Sequence, residues 1–166
     1  AQLIGEQPGD LAGFSVAAGG DADADGVADL LVGAYDNDDA GTSAGAVYLV
    51  EGPVTGNLRL WSASAKITGA QAGDQAGWSV AFAGDTDGDG ADDILVGAPF
   101  AHPTGAYTGA LYVVLGGVRG TVSLGEADGR ITGANSGDLA GYSVSGAGDL
   151  NNDGFADVLP VSYTHL

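Results

Sequence analysis

The sequence predicts an all-β protein assembled from four-stranded antiparallel sheets, one for every 64 residues. Three observations predict it. The acidic stretch D-x-D-x-D-G-x-x-D runs from Asp21 to Asp29 and again from Asp85 to Asp93, and a variant, D-x-N-x-D-G-x-x-D, runs from Asp149 to Asp157; each copy starts 64 residues after the last. Residues 1–64 and 65–128 align without a gap and are identical at 30 of 64 positions. Short apolar runs recur at the same offsets between Gly-rich turns, and no stretch carries a capped helical period. A repeat of this length holding four short strands is the blade unit of a β-propeller.

The first strand grows out of G-D-L-A-G-F-S-V-A at residues 9–17, repeated as G-D-Q-A-G-W-S-V-A from Gly73 and as G-D-L-A-G-Y-S-V-S from Gly137. Its aromatic residue (Phe14, Trp78 or Tyr142) shares a face with the valine two residues on (Val16, Val80 or Val144), because side chains alternate along a strand. The acidic stretch follows as a loop. The second strand reads L-L-V-G-A at 30–34 and I-L-V-G-A at 94–98, and the third reads A-V-Y-L-V at 46–50 and A-L-Y-V-V at 110–114. The fourth is weaker, with two candidates in each repeat: 58–60 or 66–68, and 122–124 or 130–132. The expected organisation is the end of a preceding blade with its connecting loop at 1–12, blades at 13–68 and 69–132, and the start of a third blade at 133–159.

Composition narrows the function classes. The chain has 22 Asp and Glu against 4 Lys and Arg, a formal net charge of −18, which argues against a duplex-binding surface or an anionic membrane as partner. Twelve of those acids lie in the three repeated stretches. Like charge packed this closely calls for a counterion, and three divalent ions would bring the net charge to −12. There is no Cys, hence no disulfide framework or thiolate metal site, and no apolar run of transmembrane length.

The acidic stretch has the chemistry of a calcium loop. Carboxylates at positions 1, 3 and 5 turn inward together, and Gly26, Gly90 and Gly154 at position 6 permit the tight turn this needs. The expected ligands are Asp21, Asp23, Asp25 and Asp29 with the Val27 carbonyl; Asp85, Asp87, Asp89 and Asp93 with that of Ala91; and Asp149, Asn151, Asp153 and Asp157 with that of Phe155. Hard oxygen donors in this number suit Ca²⁺ over Mg²⁺, and the absence of His and Cys from the loops speaks against transition metals. Two well-formed sites are expected, and a third that Asn151 makes weaker. An EF-hand or dockerin-like loop requires a bidentate Glu at position 12, where Val32, Val96 and Pro160 stand, and flanking helices. A bare acidic surface turn is the remaining alternative.

The combined run F-S-V-A…D-x-D-x-D-G-x-x-D-L-L-V-G-A resembles the FG-GAP repeat of integrin alpha-subunit propellers and related bacterial surface proteins. Gly97-Ala98-Pro99 keeps the Gly-Ala-Pro triplet, whereas Gly33-Ala34-Tyr35 lacks its proline and the Phe-Gly pair is reversed at Gly13-Phe14. The resemblance implies a partial arc of a seven-bladed propeller, located extracellularly or on the cell surface, that mediates adhesion or protein–protein recognition. It implies further blades of the same chain as neighbours, and ligand contacts on the face opposite the calcium loops. The connections from second to third strand, 35–44 and 99–108, differ most between repeats, which points to Tyr35, Phe100, His102 and Tyr107 as contact residues. The alternative is a non-catalytic propeller module of a larger extracellular enzyme, phospholipase-D-like or another hydrolase. A foreign or misread end is expected at 160–166, where Pro160, Val161 and Ser162 stand in place of Val, Gly and Ala.

Catalysis within the chain itself is not expected. Ser15, Ser79 and Ser143 sit in a G-[FWY]-S-V segment that misses the G-x-S-x-G nucleophile pattern, and they recur with the blade. The two histidines are His102, in a P-F-A-H-P loop, and His165, in the aberrant tail. Nearly every carboxylate that might serve glycoside hydrolysis belongs to the repeated loops, and no phosphate-binding Gly-rich loop leads into a helix.

Overall fold

Thirteen strands appear in a computed structural model that describes residues 1–103 and 105–161. They are β1 Gln2–Ile4, β2 Ser15–Ala18, β3 Leu30–Ala34, β4 Ala46–Val50, β5 Asn57–Arg59, β6 Ala65–Thr68, β7 Ser79–Gly84, β8 Asp93–Ala98, β9 Ala110–Val114, β10 Gly120–Ser123, β11 Gly129–Thr132, β12 Ser143–Gly148 and β13 Asp157–Val161. Among the described residues the helical elements are two single 3₁₀ turns, at Leu60–Ser62 and Leu124–Glu126. The protein is all-β, in blades.

Blade one orders its strands β6-β4-β3-β2 and blade two β11-β9-β8-β7, each pair antiparallel. The registers repeat with the sequence: Val16 faces Val32 as Val80 faces Val96, and Ala34 faces Ala46 as Ala98 faces Ala110. The fourth strand is the later of the two candidates in each repeat, β6 and β11. The earlier candidates are strands as well, but they leave their own blade. β10 runs parallel to β6 with Val122 beside Ile67, adding a fifth strand to blade one from the repeat that follows. β5 does the same to β1, with Leu58 beside Leu3.

Continuous apolar runs suit strands covered on both faces, and β4 and β8 are buried at every residue. Val47, Ile67, Val80, Ile94 and Tyr112 form the core between the two blades, while Leu95, Leu111 and Val144 join blade two to the start of blade three. Close approach along the inner strands depends on Gly33 and Gly97. A Cβ on Gly33 would stand 2.2 Å from the Gly77 carbonyl oxygen, and one on Gly97 would stand 2.0 Å from that of Gly141. The recurring serines use the same gap: Ser15 Oγ donates to the Gly77 carbonyl at 2.7 Å and Ser79 Oγ to that of Gly141 at 2.8 Å. Two of the serines that recur with the blade thus bond one blade to the next.

Blade one also closes its β3–β4 connection over a polar network. Buried Asn37 donates to Asp10 at 2.9 Å, the Tyr48 hydroxyl donates to Glu6 at 2.7 Å, and Lys66 pairs with Glu6 and Asp39. Burial and the Glu6 carboxylate push the Tyr48 hydroxyl far above its ordinary range, so it remains a donor.

Strand pairing reaches the first two residues of 160–166, the stretch expected to be a foreign or misread end. β13 pairs with β12 through Pro160 opposite Val144 and Val161 opposite Ser143, the register that Val96 and Gly97 hold in blade two. Among the described residues β13 has one strand neighbour, and a proline's missing N–H is tolerated at such an edge. Residues 162–166, and with them His165, lie outside the described residues.

Candidate metal centres

Antiparallel order places the β2–β3, β7–β8 and β12–β13 connections at one end of the blades. These are the three acidic loops. The first aspartate folds each loop around itself: Asp21 accepts from the amides of Asp25 (3.0 Å) and Gly26 (2.8 Å), Asp85 from those of Gly88 (2.6 Å) and Gly90 (2.9 Å), and Asp149 from those of Asp153 (3.2 Å) and Gly154 (2.9 Å). Desolvation pushes Asp85 up, but the amides of Gly88, Gly90, Asp87 and Asp89 outweigh it and hold the carboxyl below its ordinary 3.8. The position-6 glycines take φ of 83°, 93° and 95°, and a Cβ there would meet nothing, so conformation rather than space selects glycine. Position 4 is left-handed too, at Ala24, Gly88 and Asn152, a demand the sequence signals only through the last two.

Carboxylate oxygens of Asp21, Asp23 and Asp29 converge within 4.8 Å of one another in the first loop, and those of Asp85, Asp87 and Asp89 do so in the second. Both donor sets, all oxygen and anionic, fit a hard divalent cation. Asp25 lies outside the first group and Asp93 outside the second. In loop three the Asn151 amide donates to Asp153 at 3.0 Å and so occupies one of its carboxylate oxygens. Val27 and Phe155 turn their side chains to solvent, while Ala91 is buried.

Position 9 does work that the spacing did not reveal. Asp93 is fully buried, accepts from the Thr86 amide (2.9 Å) and hydroxyl, and takes the Gly116 amide at 2.8 Å on its other oxygen. Asp29 likewise accepts from Ala22 (2.8 Å) and Gly52 (2.9 Å), and Asp157 from Leu150 (2.9 Å). Asp29 and Asp93 thereby tie their loops to the chain that leaves the third strand, at Gly52 and Gly116. Asp93→Ala is therefore expected to destabilise the fold by about 2–4 kcal/mol even in chelator, because buried amides lose their acceptor. Asp87→Ala in chelator is expected to stay within about 0.5 kcal/mol of the parent. Urea unfolding with and without calcium separates the two roles.

The opposite end carries the predicted contact residues. Tyr35 and Phe100 are half-buried, while His102 and Tyr107 are exposed. They join a run of rings that crosses the blades: Tyr35 to Phe14 at 4.6 Å, Phe14 to Trp78 at 5.0 Å, Trp78 to Phe100 at 5.7 Å and to Tyr142 at 5.5 Å, Phe100 to Tyr107 at 6.0 Å, and Tyr107 to His102 at 5.0 Å. The sequence placed Phe14, Trp78 and Tyr142 only on a strand face beside a valine, which left this surface unnoticed; their recurrence beside the variable loops was the signal. A cleft of about 550 Å³ opens there between Gln75, Phe100, Tyr107 and Leu139.

The FG-GAP repeat family matches this chain at residues 12–50 and 76–114. Integrin alpha-IIb of Homo sapiens is 35% identical over 169 residues, which cover 98% of this chain and 16% of that protein. Human integrin alpha-11 is 34% identical, with 94% and 13% covered, and integrin alpha-5 of Xenopus laevis 31% identical, with 93% and 15% covered. The chain thus spans about one sixth of the length of the curated relatives it matches.

Proposed function

The chain is an FG-GAP repeat protein of the integrin alpha kind, and on that premise we propose that it is a calcium-stabilised propeller segment of a secreted or cell-surface protein that recognises a protein ligand. The observation that carries this reading is the division of labour between the two ends. Acidic loops gather at one, and a continuous aromatic surface lies at the other, where aromatic side chains give contact area at modest entropic cost.

Asp21, Asp23 and Asp29, and Asp85, Asp87 and Asp89, are the residues that would hold Ca²⁺; Asp149 and Asp153 with Asn151 form the weaker third site. The ion supplies charge neutralisation and pins each hairpin. Exposed apolar side chains on the flanking sheets, Val16 at one side and Leu159 at the other, support further blades of the same chain as neighbours. A propeller module carried by a larger extracellular enzyme shares all of this, and a catalytic domain joined to the arc would favour it.

Calorimetric titration with calcium tests the metal reading. Two sites with dissociation constants of about 0.1–1 mM are expected, and Asp21→Ala and Asp85→Ala should each abolish one. Absence of heat at millimolar calcium would overturn it. Recognition is tested on cell surfaces: Trp78→Ala combined with Tyr107→Ala should abolish binding of the labelled protein while leaving calcium-dependent melting unchanged. Equal binding by this variant would remove the aromatic end as the contact surface.

A further inference from the structure

Only four side chains in this protein carry a fixed positive charge, and one of them reaches across a blade boundary into an acidic loop. Arg59 stacks over Trp61, Lys66 pairs with Glu6 and Asp39, and Arg130 bonds Tyr112. Arg119 pairs with Glu51, and its Nη2 lies 3.2 Å from Asp23 Oδ2 in the first loop. Its approach is fixed by backbone. The Asp92 amide donates to the Asp21 carbonyl at 2.8 Å, the Gly117 amide to that of Ala22 at 2.6 Å, and the Asp92 carboxylate takes the Asp21 amide at 2.9 Å. Blade two therefore grips loop one, and Arg119 immediately precedes β10, the strand that crosses to β6.

The scaffold itself does not demand this arginine, since Thr55 holds the same repeat position one period earlier. Among the described residues no ion pair involves Asp85, Asp87, Asp89 or Asp93. Loop one therefore holds a side-chain cation supplied by the repeat that follows it.

We propose that Arg119 is a built-in competitor for calcium at the first loop. It holds Asp23 when the loop is empty and withdraws to Glu51 when calcium takes that carboxylate. The inference rests on the calcium reading. A guanidinium and a divalent ion cannot both sit against one carboxylate without mutual repulsion, so the arginine weakens loop one relative to its ligand count. Loop-one occupancy thereby becomes linked to the seating of the neighbouring blade.

Calcium titration of the ¹⁵N-labelled protein, read at the Gly26 and Gly90 amides, tests this with an internal control. In Arg119→Gln the Gly26 midpoint should move to calcium concentrations about threefold to tenfold lower, as removal of a nearby screened charge predicts, with the Gly90 midpoint unchanged. Arg119→Lys should keep most of the parental behaviour, and the difference should shrink in high salt. If both glycines titrate and Gly26 is unmoved in Arg119→Gln, the competitor role is wrong and calcium binding stands. If neither glycine titrates in the parent protein, the calcium reading fails, and this inference with it.

Discussion

Chelation of calcium is expected to lower the melting temperature of this protein by about 6–20 °C, and restoring the ion to reverse the shift. The size follows from mass action. At 10 mM free calcium, sites of about 0.1–1 mM contribute about 1.4–2.7 kcal/mol each, and two of them about 3–5 kcal/mol. For a domain of this length each kcal/mol moves the transition by about 2–4 °C. The cause is local: without an ion the carboxylates of Asp85, Asp87 and Asp89 repel one another across less than 4.8 Å. Combining Asp85→Ala with Asp87→Ala should remove about half of the shift. Superimposable melting curves in calcium and in chelator would sink the metal assignment.

The second large effect is steric. Gly97→Ala is expected to cost about 2–3 kcal/mol, the usual penalty for a methyl forced into a filled core. Its Cβ would stand 2.0 Å from the Gly141 carbonyl oxygen and 2.2 Å from Ser79 Oγ. Adding Ser79→Ala removes the hydroxyl but not the carbonyl, which belongs to the backbone of blade three, so the double variant should not recover. Gly125→Ala, whose new methyl would meet only Ser123 Oγ at 3.4 Å, is the matched control and should stay within about 0.5 kcal/mol. Urea midpoints decide it; an unchanged midpoint for Gly97→Ala would mean the blades are not packed as closely as the structure places them.

What was legible in the residues was what acts over short chain distances. The acidic loops declare themselves because nine consecutive residues carry both the donors and the glycine that turns them inward. β3, β4, β8 and β9 read as strands because they are apolar throughout, and burial on both faces explains why. The crossing strands were ambiguous for the opposite reason. Asn57–Arg59 and Gly120–Ser123 are short and half polar, and their partners lie in another repeat, as Ile67 does for Val122. The grip of Asp92 on Asp21 and the reach of Arg119 to Asp23 span 71 and 96 residues, and no local pattern announces either. Asp29 and Asp93 carried a double meaning, since the carboxylate that suits a cation equally suits buried amides.

The exchange of outer strands has a mechanical consequence. With β10 laid parallel along β6, a load that pulls successive blades apart must shear four register pairs together, from Gly120–Ala65 to Ser123–Thr68, instead of peeling them open one by one. Blades laced in this way share tension along the arc, so a pull on one edge is carried into its neighbour before either yields.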